Sequence, residues 1–164
     1  MTEESVQALP TVVEEPHAQL EAPDLLRTYA VQTLTPRLTK MLSFAEGVHQ
    51  EDMEAIRQMR VWSRRSRAAL DIFGVCFAEK PYTALAKEVK AVTRALGTAR
   101  DLDVMGGRLA VMQGELPPEQ QSGLAYAIET LLEQRQQAQP AVIQALEHLT
   151  QFDLMSRWKA LQVL

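Results

Sequence analysis

Apolar residues return every three or four positions along almost the whole chain from residue 24 onward, and that periodicity leaves few folds open. In "LLRTYAVQTLTPRLTKML", Leu26, Tyr29, Ala30, Leu34, Leu38, Met41 and Leu42 share one face of a helix. Asp24, after Pro23, suits its N-cap, Pro36 should kink it without ending it because the pattern stays in phase, and Gly47 is the expected stop. A second helix should begin near Gln50 or Glu51, with Glu51, Asp52 and Glu54 at its positive end, and run to about Ala78, where "EKP" ends it. The third should run from about Tyr82 to Leu96 and stop at Gly97 as a C′ residue, and the fourth from about Ala99 to Met112, before "GELPPEQ". A long helix bent at Pro140 and a last amphipathic segment, "LMSRWKALQVL", complete the reading. No strand alternation of useful length occurs, so the expected fold is all-α, a helical bundle of about five to six helices.

The chain has 164 residues, 46% of them apolar and 23% charged, the make-up of one domain around one core. No run of about 18 uncharged apolar residues is present, and "MTEESVQALPTVVEEP" lacks the basic start and apolar stretch of a secretory signal. The expectation is a cytoplasmic protein with no membrane partner. Cys76, the single cysteine, sits in "IFGVCFA", where a small buried side chain is the ordinary reading.

Charge is unevenly distributed. Residues 1–26 hold six acids and no Lys or Arg, so the rest of the chain carries 17 basic against 15 acidic residues although the whole has a net charge of −4. Between Arg37 and Arg108 there are 13 basic and 9 acidic residues. Residues 1–22 lack sustained periodicity and have the composition of a mobile acidic extension, which could compete weakly for a basic surface; residues 23–164 read as the helical domain.

The basic residues are arranged as well as abundant. In "IRQMRVWSRRSRAAL", Arg57, Arg60, Arg64 and Arg67 fall within an arc of about 80° at about 100° per residue, with Arg65 off it. Met59, Trp62, Leu70 and Phe73 point roughly the other way, so the helix buries one side and presents guanidinium groups on the other. Like charges at this spacing repel on an exposed helix, so such a row is mildly unfavourable unless something neutralises it. Further on, Lys80, Lys87 and Arg94 recur every seven residues with Lys90 on the same side, and Arg100 and Arg108 follow. Guanidinium groups bind phosphate through paired charge-assisted hydrogen bonds, and two such faces meeting in a groove would suit a polyanion. A solvated face paired with acids elsewhere is the plainer alternative.

At "IRQMRVWSRRSRAALDIF" followed by "LGTARDLDV" the sequence resembles the CHAD family, the conserved histidine α-helical domain. Ile56, Met59, Arg60, Val61, Arg64, Arg65 and Arg67 match its first motif, and Leu96, Gly97, Arg100, Asp101, Asp103 and Val104 its second. The resemblance implies a cytoplasmic, granule-associated or free, helical domain that binds inorganic polyphosphate through basic side chains, without cofactor, metal or catalysis. The binding residues expected on this basis are Arg57, Arg60, Arg64, Arg65, Arg67, Lys87, Lys90, Arg94, Arg100 and Arg108. Arg57 stands where the family has its histidine, which keeps a charge and a two-pronged donor but removes a pH switch or metal ligand there. The family's usual chain has two bundle halves about a pseudo-twofold, and this sequence reads as the first. A homodimer would restore the second half, with Leu154, Trp158, Leu161 and Leu164 as the expected apolar contact.

Other chemistry finds less support. Asp101 and Asp103 point to different sides of a helix and are expected to cap the fourth helix and orient arginines rather than form an acid/base pair. His17, His49 and His148 are widely separated and lack the Cys or carboxylate spacing of a zinc site. Nucleic acid is a second phosphate-chain partner, ranked below polyphosphate because 5% aromatic content leaves few stacking platforms. A scaffold that docks an acidic protein is the alternative from a different class.

Overall fold

The computed structural model describes residues 22–163, and among these the chain is helical with no strand. The acidic extension lies outside the described residues except for Ala22. Six α-helices follow in order: α1 (Ala22–Leu42), α2 (Ala45–His49), α3 (Met53–Phe73), α4 (Glu79–Glu115), α5 (Gln121–Phe152) and α6 (Leu154–Val163). Short 3-10 turns, Gly74–Cys76 and Pro118–Gln120, join α3 to α4 and α4 to α5. None of the helices is long and apolar enough to cross a membrane.

α1 starts ahead of Asp24, which lies in its first turn and is not its N-cap, and it continues through Pro36. Gly47 does not end a helix; it lies inside α2. The reversal comes at Glu51, which takes the left-handed conformation at φ 59°, while the Asp52 amide donates to the Gly47 carbonyl at 2.9 Å. Glu51 thus fills the role that glycine usually takes beyond a helix end. Gly47 is needed for a different reason: a Cβ there would lie 2.5 Å from Cβ of Ala55, so α2 packs on α3 at a separation that only hydrogen permits. Asp52 is the N-cap of α3, its Oδ1 accepting from the Glu54 amide at 2.8 Å.

α3 ends at Phe73, not Ala78, and "EKP" opens the next helix instead of closing this one. Pro81 sits in the first turn of α4, where amides have no helical partner to lose. Phe77 stacks on Tyr82 with ring centroids 5.1 Å apart, and Tyr82 donates to the Leu70 carbonyl at 2.8 Å, which ties the turn to both helices. Cys76 is half-buried in this turn, not enclosed as the apolar run suggested.

The two expected helices on either side of Gly97 are a single helix of 37 residues. No glycine in the described residues has a positive φ, so Gly97 lacks the conformation that a C′ glycine supplies. Burial of Val92, Leu96 and Ala99 on both sides of it carries the helix through. A Cβ at Gly97 would meet nothing nearer than Nε of Arg60, at 4.0 Å. Gly97→Ala is therefore expected to raise stability by about 1 kcal/mol, measured as a higher urea midpoint. A fall would show that the position does need glycine.

One core joins the helices. Leu34, Leu38 and Met41 of α1, Ile56, Met59 and Leu70 of α3, Leu85, Val89 and Leu96 of α4, Val142, Leu146 and Leu149 of α5, and Leu154, Trp158 and Leu161 of α6 belong to the same buried cluster. α5 continues through Pro140 and ends at Asp153, which is left-handed at φ 50° and ψ 63°. Oδ1 of Asp153 then accepts from the Ser156 amide at 3.3 Å, so one residue closes α5 and opens α6.

The terminal segment does not offer the apolar contact expected for a second chain. Leu154, Trp158 and Leu161 are at most 2% exposed and close this chain's own bundle; Leu164 lies outside the described residues. The terminal helix is amphipathic and has its own core to cover, which is the commoner fate of such a segment. By contrast, the far half of the α4/α5 hairpin contributes nothing fully buried between Ala99 and Val142, and it exposes Met105, Val111, Met112, Tyr126 and Leu132.

Candidate anion-binding groove

α3 and α4 run antiparallel. Tyr82 reaches Leu70 near the connecting turn, and Arg60 reaches Asp101 at the other end, Nη2 to Oδ1 at 3.3 Å. The sequence of α3 places small buried residues, Ser63 and Ser66, between its apolar positions, which lets the neighbouring helices approach closely. Its arginines are left on the rim. Between the two helices lies an open groove of about 320 Å³ lined by Arg60, Arg64, Arg67, Lys90, Thr93, Arg94, Gly97, Thr98 and Asp101.

Five cations and one carboxylate therefore converge on one cleft, three cations from α3 and two from α4. Arg60 is the anchored member, with its side chain 26% exposed and its Nε buried against Gly97 without a hydrogen-bond partner. Among the described residues Arg67 has one long contact to an acid, to Asp71 at 3.8 Å, one helical turn away. Such exposed pairs contribute little to stability, so they leave these cations available. The two threonine hydroxyls are engaged with their own helix, Thr93 donating to the Val89 carbonyl at 2.7 Å and Thr98 to the Arg94 carbonyl at 3.4 Å. The donors offered to a ligand are thus the charged groups.

The remaining basic residues singled out in the sequence fall elsewhere. Arg57 is held by Glu54 in a two-pronged pair at 2.7 and 2.6 Å, and that hydrogen bonding keeps the Glu54 carboxyl at about 2, well below the ordinary carboxylate range. The charge of Arg100 also lowers Glu54, by less, and neither Arg57 nor Arg100 lines the groove. Lys87 is exposed one turn before Lys90, outside the lining residues. Arg108 is exposed two turns beyond Asp101, about 10 Å along the axis. Arg65 faces the other flank of α3, its guanidinium 4.9 Å above the Trp62 ring.

Asp101 and Asp103 do orient arginines, but they cap nothing, because α4 runs straight past them. Asp103 receives Nε of Arg135 at 2.9 Å, with side chains only 8% and 14% exposed, and Arg135 also donates to Gln139 at 2.9 Å. This pair ties α4 to α5. Arg135 was not legible in the sequence, since it stands alone in "LLEQRQQAQ" with no basic neighbour at helical spacing. His49 and His148 lie on α2 and α5, and among the described residues no three His, Cys, Asp or Glu side chains gather where a metal ion could be held.

No curated protein and no solved structure matches the chain. The family comparison does: the CHAD domain matches residues 32–162, a span that includes all of α3 and α4 and every residue lining the groove. With that match over most of its length, and with the expected helical bundle in place, the chain belongs to the CHAD domain family.

Proposed function

We propose that the protein binds long-chain inorganic polyphosphate in the α3/α4 groove, without catalysis, through Arg60, Arg64, Arg67, Lys90 and Arg94. The observation that carries this reading is the convergence of five cations from two helices against a single acid. Membership of a family linked to polyphosphate supports it. An open cleft of charged, mobile donors suits a flexible chain of repeating phosphates better than a small ligand, which calls for an enclosed and mostly apolar site. Lys87, Arg100 and Arg108 extend the positive field beyond the groove and steer the chain without forming its floor, whereas the charge of Arg57 is offset by Glu54. The reading needs no second copy of the chain, and pairing through Leu154, Trp158 and Leu161 is closed off because they are buried in this chain's own core.

Calorimetric titration with long-chain polyphosphate at a series of salt concentrations tests the proposal. The groove carries a net four positive charges. Neutralising about four phosphates at about 0.7 per phosphate gives an expected slope of log affinity against log salt of roughly −3. Single-stranded DNA and an acidic peptide at the same ionic strength are expected to compete poorly. Equal competition by DNA would favour a nucleic-acid role, and preferential binding of the peptide a protein-docking one.

A further inference from the structure

A second cationic groove lies on the opposite flank of α3, where it packs against α1. It is lined by Gln32, Thr33, Pro36, Arg37, Lys40, Trp62 and Arg65 and has a volume of about 650 Å³. Three of these residues are cations and none is an acid. Each cation is held by a neutral partner: Arg37 donates through Nη1 to the Arg65 carbonyl at 3.2 Å, Arg65 lies 4.9 Å over the Trp62 ring, and Nζ of Lys40 lies 5.0 Å over the Phe44 ring. The four ion pairs among the described residues use Arg57, Arg60, Arg67 and Arg135, and none of them involves Arg37, Lys40 or Arg65. Among the described residues these three charges are held in place and no acid neutralises them. Carbonyl and ring contacts restrict the side chains and leave most of their N–H groups without a hydrogen-bond partner among the described residues, which lowers the ordering cost of taking up an anion.

We propose that the α1/α3 groove is a second phosphate site, and that a polyphosphate chain crosses α3 to occupy both grooves at once. The strip of α3 between them supports this path, since Val61 and Ala68 there are uncharged and neighbouring Arg64 and Arg65 turn toward opposite flanks. The distance to be bridged is about one helix diameter with side chains, 10–12 Å. A tripolyphosphate ion is too short for that span and can fill one groove at a time. A long chain that fills one groove holds its next segment near the other at millimolar effective concentration. Preference for long chains would then arise within one bundle. This inference rests on the polyphosphate reading above for the first groove, but its own residues can be tested separately.

Trp62 provides the separation, because it forms part of the second groove and not the first, whereas Trp158 is fully buried. Tripolyphosphate and long-chain polyphosphate are each expected to change Trp62 emission, and the change should vanish in Trp62→Phe. Arg37→Gln/Lys40→Gln, which leaves the Arg65/Trp62 stack in place, is expected to abolish the response to tripolyphosphate. The same variant should weaken long-chain binding by about 10- to 100-fold while costing tripolyphosphate affinity at the first groove less than about twofold. Arg60→Glu/Arg64→Glu should leave the Trp62 response to tripolyphosphate intact. If Trp62 emission in the unaltered protein ignores both ligands, or if the Arg37/Lys40 variant keeps long-chain affinity within about twofold, the second groove is overturned while the first can stand. A Trp62 response together with calorimetric binding insensitive to Arg60 and Arg64 would instead overturn the α3/α4 reading and leave the second groove as a phosphate site in its own right.

Discussion

Charge reversal at Arg60 and Arg64 together is expected to lower affinity for long-chain polyphosphate by on the order of 100-fold or more at low salt. Each position offers a charge-assisted contact worth about 1.5–3 kcal/mol, and every 1.4 kcal/mol is about tenfold. The double variant also takes the groove from five cations against one acid to three against three, so its net field disappears. The salt dependence should therefore flatten along with the loss of affinity. A carboxylate introduced at position 60 would face Asp101, which now pairs with Arg60 at 3.3 Å, so a local distortion has to be separated from a lost contact. Arg64→Glu/Arg94→Glu keeps that pair and should weaken binding to a comparable degree. Helical circular dichroism should be unchanged in both variants. Retention of full affinity in the two would remove the α3/α4 groove from the mechanism.

Trp158→Ala is expected to cost about 3–5 kcal/mol, the range for deleting a large aromatic side chain from a packed core. The indole is fully buried, donates to Oγ1 of Thr35 at 2.9 Å, and meets the Phe77 ring edge-on at 5.2 Å. It thereby joins α6 to α1 and to the turn before α4. Arg27 reinforces the same seam by donating to the Leu161 carbonyl at 3.0 Å. For a domain of this size the midpoint of thermal unfolding should fall by roughly 6–20 °C, which circular dichroism measures directly. Trp158→Phe should lose much less, since it keeps most of the apolar volume and gives up one hydrogen bond. Near-native stability of the alanine variant would mean that α6 does not belong to the core, and would return it to consideration as a surface for a second copy.

The parts of this fold that were legible in the sequence are those decided by local pattern. The arginine row of α3 opposite Met59, Leu70 and Phe73 was readable because both faces repeat at helical spacing inside one segment. The second basic stripe, Lys80, Lys87, Lys90 and Arg94, suggests a groove between two helices, and of its members Lys90 and Arg94 line the one between α3 and α4. Gly97 misled because a glycine after an apolar run is a good stop signal, and only the burial of Leu96 and Ala99 against neighbouring helices shows that packing outweighs it here. Gly47 misled in the same way, while the true reversal fell on Glu51, a residue with no intrinsic preference for that conformation. Arg37 and Lys40 carry no site signal in the sequence, because a pair three residues apart on α1 has no meaning until α1 docks beside Arg65. The Asp103/Arg135 pair was hidden for the same reason, as its partners are 32 positions apart.

The uneven burial of α4 has a thermodynamic consequence. The helix is 37 residues long, about 55 Å, but its buried residues are confined to Tyr82–Ala99. Beyond that point the Arg60–Asp101 pair still reaches α3, and the rest of the helix rests on α5 through the Asp103/Arg135 pair, partly covered apolar side chains and the tip contacts of Gln113 and Gln121. Protein stability resides in cooperative units defined by shared burial, not by unbroken backbone hydrogen bonding. The boundary between two such units is therefore expected to fall within a single helix. Denaturation followed by tryptophan emission is expected to report the bundle half, which holds the core, while far-ultraviolet dichroism adds an earlier loss of helix from the far half of the hairpin.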